Sequence, residues 1–201
     1  MIAVKLDPKQ IKIRPDSGKI FFTYADIATM PEWPEGSLVE IIRGELFMVP
    51  SLNLIHERIA GSMQFILRDY VQQEQIGEVF NAPFDVVLSE ENVFIPDICY
   101  VSETNAAIVQ TQNIQGAPDL IVEILSQNED RDRVYKKQVY EEYGVREYWI
   151  IDPKSKSVEV YLFDTEQQKY EEARIYSGEE TIPVATVEGL EISVASIFPI
   201  I

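Results

Sequence analysis

A mixed β-sheet flanked by helices, of α/β or α+β class, is what the sequence predicts, and three observations carry that expectation. Between Asn53 and Gln75 the apolar residues recur at three- and four-residue steps, the period of an amphipathic helix. Two short runs, Leu120–Leu125 and Glu147–Asp152, are apolar at nearly every position, which suits strands covered on both faces. Apolar runs around turn residues precede and follow this middle region, as antiparallel additions to a sheet would.

Each element follows from local chemistry. Residues 1–22 carry Pro8, Pro15 and Asp16-Ser17-Gly18 with little periodicity and read as an arm. The rest, 23–201, reads as one domain, since 201 residues at about 150 per domain allow little more. Thr23 can cap a short helix over Tyr24–Met30, ended by Pro31 and Pro34. Leu38–Ile42 and Glu45–Val49 flank Arg43-Gly44 and predict a hairpin. The long helix follows, with Gly77 as its terminator. Glu78–Phe80, Phe84–Leu88 and Phe94–Val101 predict a three-stranded meander. A helix over Glu129–Tyr143, closed by Gly144, separates the two buried strands. Val158–Phe163 and Lys169–Tyr176 predict an outer hairpin, and Glu188–Ile192 a last strand before a C-terminal turn.

Composition excludes several classes. Apolar residues make up 46%, charged residues 25% and aromatics 10%, which is neither collagen-like nor disordered. Seventeen Lys+Arg against 34 Asp+Glu give a net charge of −17, so nucleic acid cannot be gripped over the whole surface and any contact must be local. One cysteine, Cys99, and one histidine, His56, cannot build a Cys/His zinc site or an internal disulfide. A reducing, cytoplasmic setting is expected. No stretch is long and apolar enough to span a bilayer.

The chemistry concentrates at few positions. Glu123 stands among Ile121, Val122, Ile124 and Leu125, where an ionised carboxylate is costly unless it is paired, protonated or bound to a metal. Arg131 or Lys136 would serve as an ion-pair partner. Asp97 and Asp119 each follow a proline and can be turn residues. Asp119 lies about 13 Å from Glu123 along one strand, too far to share an ion. Asp97 belongs to a different strand, and carboxylates on neighbouring strands can converge on a hard cation. Arg131, Arg133, Lys136 and Lys137 form a basic island opposed only by Asp132. Arg133 and Lys137 share a face at i,i+4 spacing, while Lys136 points toward Val139 and Tyr140. The island is either a phosphate contact or an ordinary solvated face. His56 edges the apolar stripe of the long helix, where a hydrogen-bonded boundary residue is as natural as a functional one. Glu40 fits an edge strand.

The ordered set Val39-Glu40-Ile41-Ile42-Arg43-Gly44-Glu45-Leu46, His56, Phe94-Ile95-Pro96-Asp97, Gly116-Ala117-Pro118-Asp119-Leu120-Ile121-Val122-Glu123-Ile124-Leu125-Ser126 and Gly144-Val145-Arg146-Glu147-Tyr148-Trp149-Ile150-Ile151-Asp152-Pro153 resembles the bacterial Uma-type family of restriction endonuclease-like proteins. That family falls within the PD-(D/E)XK nuclease superfamily, and the resemblance runs from about residue 22 to 165. It implies an α/β, restriction-endonuclease-like mixed sheet flanked by helices, with added antiparallel hairpins.

The implied activity is a metal-dependent endonuclease hydrolysing DNA phosphodiester bonds. Asp97, Glu123 and Lys136 would be catalytic, and Asp97 and Glu123, with Glu40 further out, would hold Mg2+ or Mn2+ in its place. His56, Arg131, Arg133 and Lys137 would contact substrate. The superfamily's usual lysine position, two residues after the Glu, is Leu125 here, and Lys136 on the following helix replaces it. A homodimer through Val160, Leu162 and Phe163 would compensate for the acidic surface. Two other classes fit the same residues: an inactive nuclease-fold binding or regulatory module, and a hydrolase of small or single-stranded phosphodiesters.

Overall fold

The computed structural model describes residues 12–29, 38–49, 53–126 and 128–198. The first half holds β1 (Lys12–Ile13), β2 (Ile20–Phe21), α1 (Tyr24–Thr29), β3 (Val39–Ile42), β4 (Glu45–Met48), α2 (Leu54–Glu74), β5 (Gly77–Asn81), β6 (Asp85–Ser89), β7 (Asn92–Phe94) and β8 (Ile98–Ser102). Then come β9 (Asn113–Gln115), β10 (Leu120–Ile124), a π-helical turn over Arg131–Lys136 that runs into α3 (Lys137–Glu142), and β11 (Glu147–Asp152). The chain continues through β12 (Ser157–Asp164), β13 (Lys169–Tyr170), β14 (Arg174–Ser177), β15 (Thr181–Pro183), β16 (Glu191–Ser193) and α4 (Val194–Ile197).

The two runs that are apolar throughout, β10 and β11, pair in parallel at the centre of a seven-stranded sheet. Its order is β13-β12-β11-β10-β8-β5, with β14 also on β12. Leu120, Val122 and Ile124 join Trp149, Ile151 and the buried α2 stripe of Ile59, Met63, Leu67 and Val71. Ile121 and Leu125 face the other way, toward Tyr148, Ile150, Val139 and Tyr140, and toward Phe94, Val86 and Ile114. Side chains of a strand alternate between faces, so a strand with both faces covered must be apolar at every position. The second cover is itself a sheet, of order β4-β3-β7-β6-β9. Glu123 lies on the Ile121 face, between the two sheets.

Several expectations are corrected. The three-stranded meander is divided: β5 pairs with β8 in the central sheet, whereas β6 pairs with β7 in the other. The run Phe94–Val101 is two strands, β7 and β8, broken at Ile95-Pro96-Asp97 where the chain passes from one sheet to the other. Proline cannot donate to a ladder, which explains the break. The region Glu129–Tyr143 is not uniformly α-helical but contains the π-turn. The outer hairpin is interrupted, with β13 and β14 both on β12. Val160, expected as a dimer contact, is core at 5% exposure, and Leu162 and Phe163 pack half-buried against the two cores.

Helix α2 is capped at its start by the Asn53 side chain, which accepts from the backbone N–H groups of Ile55 and His56. It ends on Gln75, which is left-handed at φ 56°, so the glycine is not the terminator. Gly77 is needed two residues later, where β5 meets β8. A Cβ there would run into the Val101 carbonyl oxygen and lie 2.8 Å from the Tyr100 ring. Gly77→Ala should therefore lower stability by about 2–3 kcal/mol, read as a shifted urea midpoint. An unchanged midpoint would mean the β5–β8 edge yields freely.

Residues 12–22 form a small hairpin, β1 with β2, fastened by Arg14 to the Arg43 carbonyl and to Glu91. Met30, Pro31 and Pro34, predicted to end the first helix, lie outside the described residues. No helix among the described residues is long and apolar enough to cross a membrane.

Candidate active site

The strand register creates the site. Tyr100, Cys99 and Ile98 of β8 oppose Leu120, Ile121 and Val122 of β10, so one step further Asp97 stands opposite Glu123. Asp97 is fixed there because its Oδ2 accepts the Ile124 N–H at 2.7 Å and lies 3.1 Å from His56 Nε2. From the second sheet Glu40 faces the same space. The edge-strand expectation fails, because β3 lies between β4 and β7 and Glu40 is 1% exposed. Its Oε1 accepts the Ile95 N–H at 3.0 Å.

The π-turn supplies the cations. Lys136 Nζ lies 2.8 Å from Glu40 Oε1, 3.0 Å from Glu123 Oε1 and 3.5 Å from Asp132 Oδ1. The guanidinium of Arg131 lies 3.6 Å from Glu40 Oε2. Residues five apart sit about 140° from each other on an α-helix. In a π-turn, with bonding from i to i+5, they come onto one side, which is how Arg131 and Lys136 both reach Glu40. Asp97, Glu123, Lys136, Glu40, His56, Arg131 and Asp132 line one cavity of about 30 Å³.

The charges are tightly constrained. Burial pushes the Glu123 carboxyl well above its ordinary range, Lys136 pulls it back, and Asp132, Asp97 and Glu40 push it further up. Asp132 is raised by burial in the same way. Burial alone would lower Lys136, but Glu123, Glu40 and Asp132 outweigh it and hold the ammonium well above its usual range. These acids thus favour the charged ammonium at Lys136, a group suited to neutralising negative charge. Burial likewise opposes a charge on His56, but the Asp97 carboxylate raises its pKa on balance.

Not all predicted site residues meet here. Arg133 pairs with Glu159, with Asp152 at 3.5 Å and with Glu129 at 3.6 Å, and Lys137 Nζ lies 4.7 Å over the Tyr161 ring. Neither lines the cavity. Asp119 is occupied elsewhere by the Ser102 N–H and by Arg146. Asp132 and Tyr140 were missed, although Tyr140 donates its hydroxyl to Glu123 Oε1 at 2.9 Å. Both lie four residues from Lys136, on its helix face, and that spacing was the available signal.

A divalent metal can be tested against these donors. Among the described residues no three of His, Cys, Asp and Glu form a complete ligand set. Magnesium, however, is usually held by one or two carboxylates, with waters and substrate phosphates completing its shell. Asp97 uses only Oδ2 and Glu123 only Oε1 in hydrogen bonds among the described residues, which leaves one carboxylate oxygen free on each. Glu40 Oε2 is buried without a hydrogen bond. These donors fit a hard cation.

The two-sheet arrangement with acids and a lysine at its seam defines a restriction-endonuclease-like nuclease fold. A family model, Uma2, described as "Putative restriction endonuclease", matches residues 25–195, and the chain belongs to that family. Its fold is also similar to the crystal structure of a "putative nuclease belonging to DUF820" from Anabaena variabilis. The two share 22% identity at a TM-score of 0.71, over 88% of this chain and 97% of that one. No curated protein matches the chain.

Proposed function

We propose that the protein is a metal-dependent endonuclease of the cytoplasm that hydrolyses DNA phosphodiester bonds at the Asp97–Glu123–Lys136 cavity. The observation that carries this reading is the convergence of Asp97, Glu123 and Lys136 on one small cavity, with one oxygen of each acid left uncommitted. Asp97 and Glu123 would hold magnesium, or manganese in its place, with Glu40 further out. The ion, when bound, supplies charge neutralisation and polarisation of a phosphoryl oxygen.

The protein's own groups supply the rest. The Lys136 ammonium, held in place by Glu123 and Glu40, presents a fixed positive charge where negative charge develops on the phosphoryl group, with little reorganisation. Asp97 is kept in register by the Ile124 N–H and by His56. Arg131, at the cavity wall, is positioned for a phosphate.

Nicking of supercoiled plasmid at low salt, with magnesium and then manganese, tests the proposal. Wild type should nick, and Glu123→Gln should lose activity on the order of a hundredfold or more. The fold should remain, because Gln still accepts from Lys136 and Tyr140. Equal nicking by both proteins would remove Glu123 from the mechanism. No metal-dependent nicking by wild type, together with no calorimetric metal binding, would favour a non-catalytic module.

A further inference from the structure

The rim of the cavity has a chemistry of its own. The Arg131 guanidinium lies 5.6 Å over the Phe47 ring, and Phe47 lies 6.4 Å from Tyr135 at an interplanar angle of 33°. Tyr135 is 50% exposed and Val134 beside it 41%. At the start of α2, next to His56, Leu54 and Ile55 are also exposed. The aromatic pair thus adjoins Arg131, and Leu54 and Ile55 adjoin His56, both of which line the acidic cavity.

A duplex is held chiefly through its phosphates by lysines and arginines, in numbers that set the affinity. This chain carries a net charge of −17, Arg133 is bonded to carboxylates, and Lys137 is on the Tyr161 ring. Stacking on an aromatic face adds binding energy per base beyond the phosphate contacts, so fewer cations suffice, and it needs a base whose own face is free. Bases inside a duplex are covered by their neighbours. We propose that the exposed ring of Tyr135, backed by Phe47 and Arg131, is a stacking platform for a nucleobase, and that the substrate is an unpaired strand of nucleic acid whose adjoining phosphate enters the cavity. This rests on the nuclease reading of the same site.

Fluorescence anisotropy of a labelled single strand and of its duplex, in magnesium at low salt, tests it in the Glu123→Gln background, so that binding is read without turnover. Gel analysis of the wild-type chain reads cleavage. The single strand should bind roughly tenfold tighter than the duplex; Tyr135→Ala should erase roughly that factor, and Tyr135→Phe should keep it. Tighter or equal binding of the duplex, or a Tyr135→Ala protein that binds like its parent, overturns the platform. Cleavage in that case leaves the nuclease reading standing. Absence of binding to either strand also overturns the platform, while metal-dependent cleavage of either strand on the gel judges the nuclease reading separately. A loss of self-association in Tyr135→Ala by sedimentation, with strand binding unchanged, assigns the patch to a second copy of the chain and overturns the proposal.

Discussion

Lys136→Ala is expected to cost about 3–5 kcal/mol of folding stability, because removing one partner of a buried ion pair leaves uncompensated charge. The ammonium answers Glu40, Glu123 and Asp132 at once, so its loss strands three acids. Denaturant unfolding at neutral pH measures the effect. Its pH dependence has a definite sign. Burial already raises Glu123 and Asp132, and without the lysine both rise further. A carboxyl whose folded pKa exceeds its unfolded one favours folding while protonated, and that contribution is lost as pH rises through the folded pKa. The variant should therefore recover toward wild type as pH falls from neutral into the mildly acidic range. A variant as stable as wild type at neutral pH would show that the acids are not charged together. In turnover, Lys136→Ala should lose far more than it loses in metal affinity, whereas Lys137→Ala, which among the described residues removes a contact to Tyr161 outside the cavity, should change little.

The second large effect separates structure from chemistry at one position. Asp97→Ala would leave the Ile124 N–H and His56 Nε2 without their acceptor, at a cost of about 2–4 kcal/mol for two lost interactions, one of them to a buried backbone donor. Asp97→Asn keeps an oxygen for Ile124 and should hold most of that stability. Both should abolish metal-dependent cleavage if the proposed site is correct. A cleaving, stable Asp97→Asn protein would restrict Asp97 to fastening the strand. Melting temperature and plasmid nicking on the same samples separate the outcomes.

Much of this was written in the sequence because it violated a local rule. A charged residue in a run such as Leu120–Leu125 breaks the pattern for a covered strand, and Glu123 is the residue that the cavity surrounds. Helix phase set Lys136 apart as a possible inward lysine, and the resemblance gave it a place in the site. What escaped depends on partners distant in sequence. Alternating residues specify which side of a strand is apolar, not which sheet the strand joins, so the division of the supposed meander could not be read. For the same reason Glu40 resembled an edge charge. The π-turn escaped because a helix was assumed to keep 3.6 residues per turn, and with it went the joint reach of Arg131 and Lys136 to Glu40. The Tyr135–Phe47 contact joins residues 88 positions apart, beyond any local pattern.

The passage of the chain between sheets at Ile95-Pro96-Asp97 gives the protein a built-in reporter. The Ile95 N–H is bonded by Glu40 and the Ile124 N–H by Asp97, and each carboxylate thus guards one backbone amide while belonging to the cavity wall. Anything that draws those acids inward or pushes them apart must alter how well the two amides are shielded from solvent exchange. Two assigned NMR peaks would then signal occupancy of the cavity directly, with no substrate turned over.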